Sequence, residues 1–67
     1  MIRVNNAKFE VEWQEGMTVQ DVLEACGFTY PMLVVKVEGR LAPRDEYATY
    51  PVPDGADVQV LHLIAGG

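Results

Sequence analysis

The sequence predicts an α+β fold, a sheet of four to five strands with one main helix packed on one face. Three observations predict it. Residues 8–13 alternate strictly between apolar and polar, residues 18–27 carry helical spacing between a cap and a glycine, and residues 33–38 and 57–64 are β-branched apolar runs. A hairpin, one short helix and further strands sort into a sheet covered on one face.

Residues 1–5 form a first strand, and Asn5-Asn6 supply the turn after it, because the asparagine side chain tolerates left-handed backbone. In residues 8–13, Phe9, Val11 and Trp13 share one face while Lys8, Glu10 and Glu12 share the other. That period of two is the mark of a half-buried strand. Gln14-Glu15-Gly16 ends it. Thr18 is the predicted helix N-cap, with Asp21 as its capping-box partner. Val19, Val22, Leu23 and Cys26 then recur on one helical face, with Gln20, Asp21 and Glu24 on the other. Gly27 closes the helix, where a left-handed residue is needed. A helix of about two and a half turns is too short to stand alone in water and must pack on the sheet.

Residues 28–31 are a connection, since Pro31 disfavours a helical Tyr30. Residues 33–38 are the third strand, Glu38-Gly39-Arg40 a turn, and Leu41-Ala42 a brief fourth strand. Asp45-Glu46-Tyr47 makes one helical turn. Pro51 and Pro53 keep the next segment irregular or on a sheet edge. Asp54-Gly55 is a turn, residues 57–64 are the last strand, and Ala65-Gly66-Gly67 closes the sequence.

A length of 67 residues predicts one domain, residues 1–67. Such a chain buries only about 60% of its unfolded surface, which leaves no room for a deep cleft between subdomains. A single cysteine cannot form an internal disulfide, and with one histidine it falls short of a zinc site, so no metal is expected. Ten acidic against five basic residues give a sequence pI near 4.5. That is the wrong sign for nucleic acid, and Arg3, Lys8, Lys36, Arg40 and Arg44 form no run. The acidic surface suits solubility or a protein partner with a basic docking face. The opening MIRVNN has no apolar signal region, and no apolar stretch approaches the roughly 20 residues of a membrane helix. The expected location is the cytoplasm, with no membrane partner.

Catalytic machinery is not in view. Cys26 falls on the apolar helix face, far from the helix N-terminus that would activate a thiol, and is expected to pack as a small hydrophobe. His62 lies in the last strand with no oriented partner in sequence and is expected at the surface or an interface. The pairs Asp45/Glu46 and Asp54/Asp57 sit in turn regions and suit turn or capping roles. The chain has no serine and no phosphate-binding glycine loop.

Two features exceed what packing requires. In the last strand, Val58, Val60, His62 and Ile64 share one face while Gln59, Leu61, Leu63 and Ala65 share the other. Apolar residues on both faces mean a central strand, or an outer face kept apolar for a partner, with Leu61 and Leu63 as the candidate interface residues. The second feature is the closing Gly66-Gly67 pair. Side-chain-free backbone ending in a carboxylate is what a narrow enzyme channel admits.

The segments MIRVN, TVQDVLEACG, VVKVEGRLAPRDEY and DGADVQVLHLIAGG together resemble the ThiS family of ubiquitin-like sulfur carriers, within the ThiS/MoaD superfamily. Pro43-Arg44, Asp54-Gly55 and Gly66-Gly67 stand where the family pattern has them. The resemblance spans the whole chain and is most specific in its middle and C-terminal parts. It implies a β-grasp fold with a mixed sheet and a flexible Gly66-Gly67 tail. It also implies a carrier rather than an enzyme, with no cofactor bound. The Gly67 carboxylate would be activated by a ThiF-like adenylating enzyme that uses ATP and magnesium. A sulfur donor protein would then convert it to a thiocarboxylate, and a ThiG-like thiazole synthase would take the sulfur for thiamine. MoaD-like carriers of molybdopterin synthesis share the fold and the glycines but tend to carry proline just before them. His62-Leu63-Ile64-Ala65 has none, which favours the thiamine branch. The chain departs from many relatives at Glu38-Gly39-Arg40 and Ala56-Asp57. Three alternatives stay open: a MoaD-like carrier for molybdopterin or another sulfur pathway, a ubiquitin-like modifier of lysines, and a small binding module.

Overall fold

The computed structural model describes residues 1–28 and 33–62. Within them, β1 (Ile2–Val4) and β2 (Phe9–Val11) form the opening hairpin, with Ile2 opposite Val11 and Val4 opposite Phe9. Its turn takes Asn5, Asn6 and Ala7 all through positive φ, at 54°, 60° and 66°. The expected second strand, residues 8–13, is shortened to Phe9–Val11. Trp13 has left the ladder, and its indole N–H donates to the Val52 carbonyl at 2.7 Å. A long-range partner thereby overrides the alternation at the end of that run.

The helix α1 (Val19–Cys26) begins and ends where its caps require. The Thr18 hydroxyl accepts from the Asp21 N–H, and the Asp21 carboxylate accepts from the Thr18 N–H at 2.9 Å. Together they satisfy two donors that a helix start leaves open. At the other end Gly27 sits at φ 76°, its N–H donates to the Glu24 carbonyl, and the Phe28 N–H donates to the Leu23 carbonyl. This Schellman arrangement needs left-handed backbone that glycine adopts without strain. Val19, Val22 and Leu23 are buried and Cys26 is half-buried, so the predicted face is the face that packs.

The third strand, β3 (Leu33–Val37), turns through Glu38 and Gly39, at φ 52° and 79°, into β4 (Arg40–Leu41). Two left-handed residues make the tight hairpin whose twist matches its strands. They also set the register Val37 opposite Arg40. The fourth strand therefore starts one residue before the expected Leu41-Ala42, although the Ala42 N–H still donates to Val35. The expected helical turn is a 3-10 turn over Arg44–Glu46, one residue earlier than residues 45–47. Just after it, the Tyr47 hydroxyl donates to the Leu33 carbonyl.

The last strand, β5 (Asp57–His62), lies in the middle of a five-stranded sheet of order β2-β1-β5-β3-β4. It runs parallel to β1 and antiparallel to β3, pairing with β3 from Val37–Val58 to Leu33–His62. The part of the expected strand beyond His62 lies outside the described residues. One mixed sheet with α1 against one face is the β-grasp fold. Ile2, Val4, Val19, Val22, Val35 and Val58 are fully buried between the two layers. Five of those six are valine, whose stiff branched side chain suits a thin core filled from a pleated surface. Among the described residues no helix is long and apolar enough to cross a membrane.

Candidate functional site

Which face of β5 is free follows from strand parity. Val58 and Val60 are buried under α1, so Asp57, Gln59 and Leu61 point to the opposite face. Residues directly opposite in a ladder share a face, which adds Val34 and Lys36 from β3 and Leu41 from β4. The helix covers only one side, so this second face is open. Of the two readings of the last strand, the central position holds, and the outer face of β5 also carries an apolar residue at Leu61. Leu61 is 50% exposed and Leu41 61% exposed, with half-buried Val34 directly across from Leu61.

Next to this patch, Val34, Leu41, Pro43, Arg44 and Tyr47 line a shallow groove of about 210 Å³. Pro43 and Arg44, singled out in the sequence, thus border the open face. At the other end of the face Arg3 Nε donates to the Asp57 carboxylate at 2.8 Å and Nη2 to its second oxygen at 3.3 Å. The pair holds the Asp57 carboxyl below the usual range, chiefly through the hydrogen bond, and raises Arg3 correspondingly. The Glu38 carboxylate accepts from the Asp57 N–H at 3.1 Å, tying the β3–β4 turn to the start of β5.

Of the two aspartates, Asp54 sits in the expected turn with Gly55, whereas Asp57 does not serve as a turn or capping group. Asp57 lies within β5 and pairs with Arg3, and Asp54 accepts from the N-terminal ammonium at 3.0 Å. Both partners are more than fifty residues away in sequence, a separation that spacing rules do not reach. Asp45 and Glu46 stay exposed in the 3-10 turn, and the Glu46 carbonyl accepts from Thr49 and Tyr50. Cys26 packs against the core from a half-buried position, and burial pushes its thiol up. A raised thiol is a poor nucleophile at neutral pH, consistent with a packing role. His62 is exposed at the end of β5, opposite Leu33. Among the described residues no three His, Cys, Asp or Glu side chains gather closely enough to hold a metal.

Of the candidate residues, the structure describes Leu61 on the open face, while Leu63, Gly66 and Gly67 lie outside the described residues. One positioning role is not predicted by the local sequence. Asn5, the expected turn former, also accepts the Val60 N–H on its side-chain oxygen at 2.8 Å. The only signal was an asparagine at the strand end, which turn chemistry already explained.

The model of the ThiS family matches residues 2–67. Among solved structures, the chain is similar to the crystal structure of a thiamine biosynthesis protein (ThiS) from Geobacter metallireducens. The TM-score is 0.78 at 25% identity, over 98% of this chain and 97% of that one. It is also similar to a solution structure of a thiamine biosynthesis protein from Geobacter metallireducens, with TM-score 0.74 at 25% identity, over 98% of this chain and 86% of that one.

Proposed function

Since the chain belongs to the ThiS family, we propose that it is a sulfur carrier of thiamine biosynthesis, bearing sulfur at Gly67 for thiazole formation. The observation that carries this reading is the extent of the family match, which runs from residue 2 through the closing Gly66-Gly67.

The chemistry follows from the weakness of a carboxylate as an electrophile. An oxygen of the Gly67 carboxylate attacks the α-phosphorus of ATP, held with magnesium by a ThiF-like partner, and pyrophosphate leaves. The acyl-adenylate now has AMP as a leaving group. A persulfide on a sulfur donor protein attacks the acyl carbon, AMP departs, and a thiol cleaves the sulfur–sulfur bond to leave a thiocarboxylate on Gly67. That sulfur is ionised near neutral pH, polarisable and nucleophilic. A ThiG-like thiazole synthase takes it. The carrier supplies no catalytic side chain, only a tail without Cβ atoms that threads into its partners' sites. ATP and magnesium belong to the activating partner.

Docking of that partner is assigned to the open sheet face, with Leu61 and Leu63 as its apolar contacts. The exposure of Leu61 beside Val34 and Leu41, five residues or fewer upstream of the tail in the case of Leu61, supports this. Apolar residues central to a contact patch are where binding energy concentrates.

The test is the mass of the intact protein and then of its C-terminal peptide, after incubation with a ThiF-like enzyme, ATP and a sulfur source. Locating the change matters, because oxidation of Met1, Met17 or Met32 adds nearly the mass gained when sulfur replaces oxygen. Sulfur on Gly67 is the expected result. An unchanged terminus, with an enzyme active on another carrier, overturns the proposal. Conjugates on lysines would mark a protein modifier instead. Restored growth of a deletion strain on added thiamine separates the thiamine pathway from molybdopterin synthesis.

A further inference from the structure

The outer edge of β2 is a second feature that the tail chemistry does not use. β2 ends the sheet order, so no strand of the described residues lies beyond it. The Arg3 N–H donates to the Ala56 carbonyl, which turns the Arg3 backbone toward β5. Its antiparallel partner Glu10 must then turn its own N–H and C=O away from β1, toward the free edge. No loop or turn hydrogen bond among the described residues takes up the backbone of Glu10 or Glu12. An exposed row of this kind is a template for another strand.

A groove of about 520 Å³ runs between this edge, the loop after it and α1. Val11 and Met17 give it an apolar wall, Glu10, Glu12, Glu15 and Asp21 supply carboxylates, and no lysine or arginine lines it. Asp21 is engaged in the helix cap, which leaves the three glutamates to meet a ligand. Val11 shares the helix-side face with fully buried Ile2, and Glu10 shares the opposite face with Arg3.

From the free edge, the groove and its charge, we infer that this side of the molecule receives an extended segment of a partner protein as an added strand. The segment alternates apolar and basic residues. Successive side chains of an added strand point to opposite faces. Those on the helix side meet Val11 and Met17, and those on the other side meet Glu10, with Glu12 and Glu15 further along the same groove. Backbone hydrogen bonds supply attachment, and the alternation supplies selectivity. With β2 only three residues long, the contact is short and its affinity modest.

The experiment is an NMR titration of the full chain, labelled with nitrogen-15, against a capped heptapeptide alternating lysine and valine. Shifts are expected at residues 9–12 and 21–25, and the Glu10 amide becomes protected from exchange. A second peptide carries N-methyl groups on the backbone amides that would face β2, with its charge unchanged. It is expected to bind at least tenfold more weakly, as is the first peptide to the triple variant Glu10→Gln, Glu12→Gln, Glu15→Gln, whose spectrum reports its folding. Equal binding of the two peptides would reduce the effect to charge attraction and overturn the inference. Shifts gathered around Val34 and Leu61, or none at millimolar peptide, would overturn it too. Sulfur loading at Gly67 is read separately and is indifferent to this result.

Discussion

The side-chain oxygen of Asn5 stands 2.8 Å from the backbone N–H of Val60, in the place where a continuing β1 would have offered a carbonyl. The Asn5 N–H meanwhile donates to the Val58 carbonyl at 2.9 Å. One residue thus ends β1, turns the hairpin at φ 54° and extends the ladder along the central strand.

Replacing Asn5 separates these roles. Asn5→Ala loses the acceptor and keeps a Cβ in left-handed backbone, so destabilisation of roughly 1–3 kcal/mol is expected. Asn5→Gly loses only the acceptor and is expected to cost less, about 1 kcal/mol. Urea unfolding measures both, and hydrogen exchange reports faster loss of the Val60 amide in each. A protected Val60 amide in Asn5→Gly would remove the assigned role.

The Arg3–Asp57 pair predicts an acid-side loss of stability. Asp57 is held below the usual aspartate value near 3.8, so the unfolded chain binds the proton more readily. The contribution is full above that value and fades as pH falls through the lower folded one. Both groups are exposed, so the effect is small. Arg3→Gln should flatten this part of the unfolding profile below pH 4 relative to the parent chain, and added salt should shrink the difference. Identical acid limbs for the two proteins would show that the pair contributes nothing.

Leu61→Asp should separate docking from folding. Leu61 points to the open face, so stability is expected to fall by less than about 1 kcal/mol. Adenylation by the activating enzyme should weaken about tenfold or more, at the level of a central contact residue. Thermal unfolding and pyrophosphate release measure the two effects. A large loss of stability, or adenylation at the parent rate, would remove Leu61 from the interface.

Much of the fold was legible because its signals are local. Thr18, Asp21 and Gly27 bound the helix through contacts within six residues, and the Glu38-Gly39 turn needs only its own backbone. Where the structure departs from the local expectation, a distant partner intervenes. Trp13 left its strand for the Val52 carbonyl, and Asp57 left its turn role for Arg3. At the candidate site, Leu61 and the closing glycines stood out in sequence, whereas the groove beside β2 did not. Its walls come from a strand, a loop and a helix that only folding brings together.

The sequence by itself determined the helix and its face, the hairpins, the family and the candidate attachment residue, since each rests on neighbours along the chain. The tertiary structure decided that β5 lies between β1 and β3, and with it which side of β5 is covered. A residue's alternation tells which side chains share a face, but not which face receives the helix. That choice is made by the burial of Val58 and Val60 against Val19 and Val22, and it leaves Leu61 in solvent.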